Sequence, residues 1–138
     1  MDWITDDVAI GNYLDVQDSA LLKQHGFHSV VSLDGSVSSK QAADFGLVEV
    51  AAYRLIDGPG NDLRVFRFAV DDLRRLARLH PPVLVQCHAG RSRSAVVVAA
   101  YLMSVHKLHP DDAIAVVGAK REINITPGLE EMLHKLGI

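Results

Sequence analysis

The chain is poor in cysteine and has no large excess of charge of either sign. Its 138 residues include one cysteine, and 14 Lys and Arg stand against 17 Asp and Glu, for a formal net charge of −3. A single cysteine cannot form an intrachain disulfide, and no signal-like apolar segment opens the chain, so we expect a protein of the reducing cytoplasm. No overall basic field favours nucleic acid as a partner, and any attraction for anions must be local.

Long apolar runs and metal-ligand patterns are also missing. The apolar, helix-like stretch at residues 95–103 falls short of the roughly 20 residues that a membrane span requires. No two of the seven histidines are four residues apart, and His106 and His109 are followed by a break at Pro110. We therefore expect no membrane span, no bound metal and no cofactor.

The hydrophobic pattern predicts the fold class. With 49% hydrophobic residues, the chain fits one domain over residues 1–138. Strand-like and helix-like segments alternate, which predicts a single-domain α/β three-layer sandwich with a central, mainly parallel sheet flanked by helices. Apolar residues at steps of three and four predict one core-facing helix stripe, namely Leu63, Phe66, Val70, Leu73 and Ala77. On its solvated face we expect Asp71 to pair with Arg74 or Arg75, and Thr126-Pro127 is typical of a helix start.

The segment with the clearest chemistry lies between the strand-like residues 83–85 and the helix-like residues 95–103. It reads Cys87, His88, Ala89, Gly90, Arg91, Ser92, Arg93, Ser94. A loop at a helix N-terminus presents free N–H groups, and a small residue such as Gly90 lets successive amides surround one anion. Arg93 adds a planar fork that can bind two phosphate oxygens at once.

The same surroundings favour the ionised form of the cysteine. Backbone amides, a helix N-terminus and a nearby arginine stabilise a thiolate, so we expect Cys87 to be a nucleophile that faces the bound anion. This arrangement indicates phosphoryl transfer to sulfur, followed by hydrolysis of the thiophosphate. A buried structural cysteine, the common state of a lone cysteine, would not explain the glycine, arginines and serines that follow it.

Cys87, five residues and then Arg93-Ser94 resemble the Cys-x5-Arg-Ser/Thr signature of the cysteine-dependent protein tyrosine phosphatases. The full run and residues 100–103 resemble the small atypical dual-specificity branch, and residues 8–12, 28–33 and 121–133 are similar to other parts of that domain. The resemblance implies a phosphatase-like fold. One position departs from the pattern, because Gln86 stands where the family usually has a histidine that helps to hold the loop. Glutamine can still donate and accept hydrogen bonds there.

A phosphatase of this type needs a general acid to protonate the leaving oxygen. We predict Asp57, in a loop-forming cluster at residues 57–61, at a separation from Cys87 that suits the small members of the family. Asp62 is the alternative, although it is also well placed to cap the next helix. Ser94 resembles the family hydroxyl that donates a hydrogen bond to the sulfur, and capping of the helix is compatible with that role.

The resemblance implies that the loop binds the phosphate of a phosphorylated protein. The residues predicted to contact it are His88, Ala89, Gly90, Arg91, Ser92 and Arg93. Arg121 is similar to a family arginine near the substrate, or else it is a charge that offsets the dipole at the end of a helix. We expect hydrolysis of phosphotyrosine and phosphoserine/threonine in proteins. Hydrolysis of phosphoinositides or RNA 5′-phosphates, and phosphate binding without turnover, are alternatives.

Overall fold

A five-stranded sheet forms the centre of the computed structural model, which describes residues 1–137. The strand order is β1-β2-β5-β3-β4, with β2, β5, β3 and β4 parallel and β1 antiparallel to β2. The strands are β1 (Asp2–Trp3), β2 (Val8–Gly11), β3 (Ser29–Ser32), β4 (Glu49–Ala52) and β5 (Val83–Gln86). The prediction of a mainly parallel sheet is confirmed, whereas β1, a two-residue edge strand, was not predicted.

Helices cover both faces of the sheet. They are α1 (Tyr13–Gln17), α2 (Ser19–Gln24), α3 (Leu63–Leu79), α4 (Arg93–His106), α5 (Pro110–Lys120) and α6 (Glu131–Lys135), with two short 3-10 helices at Ser39–Gln41 and Ala43–Phe45. Helices α1 and α2 pack on one face with Leu84 of β5, and α3 to α6 pack on the other face with Val83 and Val85. This alternation along β5 is that of a strand buried on both faces, and it confirms the three-layer arrangement.

The two long helices differ as their sequences predict. Residues 94–103 of α4 are all buried, which explains why the helix is apolar all round. Helix α3 buries the predicted stripe from Phe66 to Ala77. The predicted ion pair on its outer face is wrong, because within residues 1–137 Asp71 pairs with neither Arg74 nor Arg75, and Arg75 pairs instead with Asp72 and with Glu49 of β4.

The last helix begins later than the sequence indicates. Residues 127–130 form turns and α6 starts at Glu131, so Pro127 is not the first residue of a helix. The N–H of Thr126 is instead held by the hydroxyl of Ser92, at an N–O distance of 2.9 Å. The helix start that the sequence favours at Pro127 is therefore not formed, and Thr126 is bound to the loop before α4.

Within residues 1–137, no helix combines the length and the apolar character that crossing a membrane requires. In the same range, no group of three or more His, Cys, Asp and Glu side chains is arranged to hold a metal ion. The carboxyl ends of the parallel strands meet at one edge of the sheet, where ligand sites of α/β proteins usually form. Cys87 directly follows β5 at this edge.

Candidate active site

The loop after β5 is held from outside through its carbonyl groups. The carbonyl of His88 accepts from the N–H of Tyr13 at 3.0 Å, and that of Arg91 accepts from the N–H of Asn124 at 2.9 Å. Between them, the guanidinium of Arg121 donates to the carbonyls of Gly90 at 2.6 Å and Ala89 at 3.4 Å. In a trans peptide the N–H points opposite to the C=O. Four outward carbonyls therefore turn the N–H groups of residues 89–92 inward, as an anion site requires.

Gly90 occupies a position in this loop that no other residue fits. Its φ of +69° lies in the left-handed region, and a Cβ there would come within 2.6 Å of the carbonyl oxygen of Gly11. The loop therefore packs directly against the end of β2. A glycine at this point allows the close approach that the turn of the loop needs.

Cys87 lies at the buried end of the loop, with 2% of its surface exposed. Its Sγ is 3.2 Å from the hydroxyl oxygen of Ser94 and 3.5 Å from the backbone nitrogen of the same residue, both from the first turn of α4. Against a thiolate, the hydroxyl and the N–H both act as donors. The contact joins the predicted nucleophile to the N-terminus of the 14-residue helix α4, whose dipole favours negative charge.

Arg93 has a buried donor that no group of the described chain satisfies. One terminal nitrogen, Nη1, donates to the carbonyl of Leu55 at 3.2 Å, whereas Nε is buried and has no partner within residues 1–137. Buried donors of native proteins are nearly always satisfied, and an exception is explained by a ligand or water. The guanidinium lines the same cleft as Cys87, so an oxyanion in the cleft would satisfy it.

Asp57 lies over the loop and is fixed by Ser92. The hydroxyl of Ser92 donates to Oδ1 of Asp57 at 2.6 Å, and it accepts from the N–H of Thr126. No group within residues 1–137 forms a hydrogen bond to Oδ2 of Asp57, so this oxygen can carry a transferable proton. Ser92 is the N-cap residue of α4 but makes no capping hydrogen bond with its side chain, which is engaged with Asp57 instead.

The predicted residues converge on one cleft of about 430 Å³. Its lining residues are Asp57, Cys87, His88, Ala89, Arg91, Ser92, Arg93, Asn124 and Thr126. At the mouth, His88 stacks on Tyr13 with ring centroids 4.5 Å apart. Gly90 and Ser94 lie behind the lining, in contact with Gly11 and with the sulfur, respectively.

Asp62 and Arg121, the two other candidates from the sequence, both lie outside the cleft lining. Asp62 is the N-cap of α3 and accepts from the N–H of Arg64 at 2.8 Å, and it does not line the cleft. Arg121 is the C-cap residue of α5, where a positive charge offsets the helix dipole as expected, but it does not line the cleft. Its guanidinium is held by Asp2 at 2.7 Å and by the loop carbonyls. Asn124 and Thr126 were not predicted at the site, since nothing local in the sequence marks them as partners of the loop.

The fold and the loop are those of the protein tyrosine phosphatase superfamily. Comparisons with known proteins show which family of this superfamily the chain belongs to. The model of the dual specificity phosphatase catalytic domain matches residues 8–136. The chain therefore belongs to the dual-specificity phosphatase family, and to its small atypical branch, as the resemblance predicted.

Relatives within this family are similar over different parts of the chain. Human phosphatidylglycerophosphatase and protein-tyrosine phosphatase 1 is 50% identical over 54 residues, which are 38% of this chain and 27% of the human protein. Mouse dual specificity protein phosphatase 14 is 31% identical over 127 residues, which cover 91% of this chain and 62% of the mouse protein. The chain thus matches less than two thirds of the length of either relative.

A solved structure shows the same fold over nearly the whole chain. The crystal structure of PTPMT1 in complex with PI(5)P aligns with a TM-score of 0.78 at 26% identity, covering 96% of this chain and 91% of that one.

Proposed function

We propose that the protein is a phosphomonoester hydrolase in which Cys87 is the nucleophile and a phosphocysteine is the intermediate. The observation that supports this most strongly is that Cys87 lines the same cleft as the inward N–H groups and Arg93, whose Nε has no partner within residues 1–137. A nucleophile that faces an anion site is the arrangement that phosphoryl transfer to the protein requires. Membership of the phosphatase family agrees with it.

The first chemical step moves the phosphoryl group to sulfur. A lone pair of the Cys87 thiolate forms the S–P bond while the ester P–O bond breaks, and the proton held on Asp57 goes to the leaving oxygen. The loop amides and Arg93 stabilise the negative charge on the three phosphoryl oxygens in the transition state. Their fixed orientation, set by the outward carbonyls, avoids reorganisation during the reaction.

The second step regenerates the enzyme. A water molecule attacks phosphorus, its proton passes to the Asp57 carboxylate, and the S–P bond breaks to release phosphate and the thiolate. The hydroxyl of Ser94, 3.2 Å from the sulfur, donates to the departing thiolate and makes it a better leaving group. We propose a cytoplasmic location because a thiol nucleophile stays reduced there.

Replacing Arg93 by lysine tests the role of the guanidinium. Lysine keeps the charge but loses the planar fork, so we expect kcat/KM to fall by about 10²–10³-fold, the cost of removing a donor that stabilises an oxyanion. The measurement is steady-state hydrolysis of an aryl phosphate, with Arg64→Lys on the exposed start of α3 as the matched control. A kcat/KM near that of the wild type in Arg93→Lys would show that two-point binding is not required.

Replacing Ser94 by alanine separates the two steps. The hydroxyl supports departure of the sulfur, so Ser94→Ala should slow hydrolysis of the phosphoenzyme more than its formation. Rapid mixing with an aryl phosphate should then show a burst of product that the wild type lacks. If the variant shows no burst, either Ser94 has no role in the second step or formation remains rate-limiting, and single-turnover rates distinguish these.

For the substrate, we propose phosphotyrosine and phosphoserine/threonine in proteins. The cleft is bordered by short segments, residues 53–62, 87–92 and 121–130, which favours a shallow site that short and long phosphorylated side chains can both enter.

A phosphoinositide is the second candidate. It is supported by the identity to a phosphatidylglycerophosphatase over 54 residues and by the likeness to PTPMT1 bound to PI(5)P. Arg91 also supports it, because this half-exposed cation lines the cleft with only the exposed Glu122, at 3.9 Å, as an ion-pair partner within residues 1–137.

A substrate panel decides between these functions. Wild type and Cys87→Ser are assayed side by side for phosphate release from phosphopeptides, phosphoinositides and 5′-phosphorylated RNA. We expect the highest kcat/KM of the wild type on phosphopeptides. The highest value on phosphoinositides or on RNA would replace the protein substrate with that one. Failure to hydrolyse any of them, with vanadate still bound, would indicate a phosphate-binding module without turnover.

A further inference from the structure

The residue before Cys87 has a buried amide side chain that is held at both ends. Gln86 is the last residue of β5 and is fully buried. Its Oε1 accepts from the hydroxyl of Ser32 at 2.7 Å, and its Nε2 donates to Oδ2 of Asp34 at 2.8 Å. A buried amide without such partners would destabilise the fold by an amount comparable to a lost hydrogen bond. The two contacts therefore fix which way the amide faces.

Both carboxylate oxygens of Asp34 accept hydrogen bonds. Oδ2 accepts from Gln86, and Oδ1 accepts from the N–H of Ser36 at 3.0 Å and from its hydroxyl at 2.7 Å. An asparagine could keep both sets of contacts only if the amide of Gln86 reversed, so the carboxylate is what fixes the observed orientation of that amide. Burial opposes ionisation of Asp34, but hydrogen bonds from Ser36 and Gln86 and the charge of Arg93 outweigh it. The pKa of Asp34 therefore lies below its ordinary value.

The segment that carries Asp34 also connects the two sides of the cleft. The carbonyl of Gln86 accepts from the N–H of Leu33 at 2.8 Å, and the carbonyl of Leu33 accepts from the N–H of Leu55 at 3.0 Å. The carbonyl of Leu55 in turn accepts from Nη1 of Arg93. A continuous series of hydrogen bonds therefore runs from the residue before the cysteine to the arginine of the cleft.

We propose that Asp34 is a positioning residue of the active site. Its ionised carboxylate holds the amide of Gln86, and the segment behind it sets the distance between the sulfur of Cys87 and the guanidinium of Arg93. Asp34 does not line the cleft, so it acts through Gln86 and Leu33 rather than on the substrate. Gln86 is uncharged and needs a fixed acceptor to be oriented, and Asp34 supplies it. The inference rests on the proposed function for its effect on turnover, but not for its effect on anion binding.

The experiment compares binding of two oxyanions by calorimetry in wild type, Asp34→Asn and Gln86→Met. Vanadate can form a fifth bond to the thiolate and resembles the transition state, whereas inorganic phosphate resembles the product. Misalignment of the sulfur and the guanidinium should weaken vanadate by about 10-fold to 100-fold, as expected for a displacement of the order of 1 Å, and phosphate much less. The matched control is Asp44→Asn, which makes the same charge change on the exposed Ala43–Phe45 helix and should bind both anions as the wild type does.

A double variant tests whether Asp34 acts through Gln86. In the Gln86→Met background, adding Asp34→Asn should change vanadate affinity by less than about twofold, because the shared contact is already lost. Independent, multiplicative losses would overturn the proposal. So would an unchanged ratio of vanadate to phosphate affinity in Gln86→Met, a variant that keeps the shape of the side chain and tests the idea even if Asp34→Asn does not fold.

The readout also separates this inference from the proposed function. If the wild type hydrolyses no phosphate ester, the proposed function fails while the anion affinities still report on Asp34. If the wild type is active and Asp34→Asn has wild-type kcat/KM and wild-type vanadate affinity, the role of Asp34 is wrong and the proposed function stands. A loss of thermal stability in Asp34→Asn with an unchanged affinity ratio would show a purely structural role and would also overturn the proposal.

Discussion

In a Cys87→Ser variant we expect turnover to be abolished, so that phosphate release from every ester stays below a tenth of the wild-type rate. A serine hydroxyl ionises far less readily than a thiol and is a poor nucleophile without a base beside it. Binding of inorganic phosphate should persist, because the loop carbonyls and their partners are unchanged. Steady-state kinetics and a calorimetric phosphate titration of the same sample measure both quantities.

Two outcomes would contradict this assignment. Residual activity above a tenth of the wild type would mean that another group attacks phosphorus, and Cys87 is the only cysteine in the chain. Loss of phosphate binding together with activity would mean that the variant has lost the loop geometry rather than the nucleophile. A circular dichroism spectrum and an unfolding midpoint, compared with those of the wild type, would show whether the variant has kept its fold.

For Asp57→Asn we expect a loss that depends on the leaving group. Esters whose leaving oxygen is strongly basic should lose about 10²–10⁴-fold in turnover, the usual contribution of general acid catalysis, and activated aryl phosphates should lose much less. Asparagine can still accept the hydrogen bond from Ser92, so the side chain keeps its position and only the transferable proton is removed. A series of substituted aryl phosphates measures the dependence, and the alkaline limb of the kcat/KM profile should disappear in the variant.

Asp62→Asn is the matched control for this experiment. Asp62 caps α3 and is exposed beside Arg64, and asparagine is an equally good N-cap residue, so turnover and its dependence on leaving group should be unchanged. Equal loss for all leaving groups in Asp57→Asn would remove Asp57 from the role of acid. A selective loss in Asp62→Asn would transfer that role to Asp62.

The sequence predicts those parts of the site that are local in the chain. Residues 87–94 lie between a strand and a helix whose hydrophobic patterns are clear, so their position at the sheet edge follows from the pattern. Asp62 is recognisable as a cap because the helix that follows it also has a clear hydrophobic pattern. The edge strand β1 has two residues, too few for any periodicity to be visible.

What the sequence does not predict are the partners from distant segments. The contact between Arg121 and Gly90 spans 31 residues, and that between Thr126 and Ser92 spans 34. The proline after Thr126 favours a helix start, but residues 127–130 form turns, and the hydrogen bond that ties Thr126 to Ser92 has no signal in the local sequence. The role of Asp34 is invisible in the same way, because its partner Gln86 lies 52 residues away in the chain.

The outward carbonyls of the loop have a consequence for the stability of the whole protein. Their donors come from the start of α1, from the end of α5 and from the segment before α6, and Arg121 is itself held by Asp2 in the first strand. The anion site therefore exists only when all of these segments have assembled. A ligand that binds only the folded state stabilises it by about 2.7 kcal/mol at a concentration of 100 Kd. Phosphate or vanadate should accordingly raise the unfolding temperature, and Asp2→Asn, far from the site in the chain, should reduce that increase.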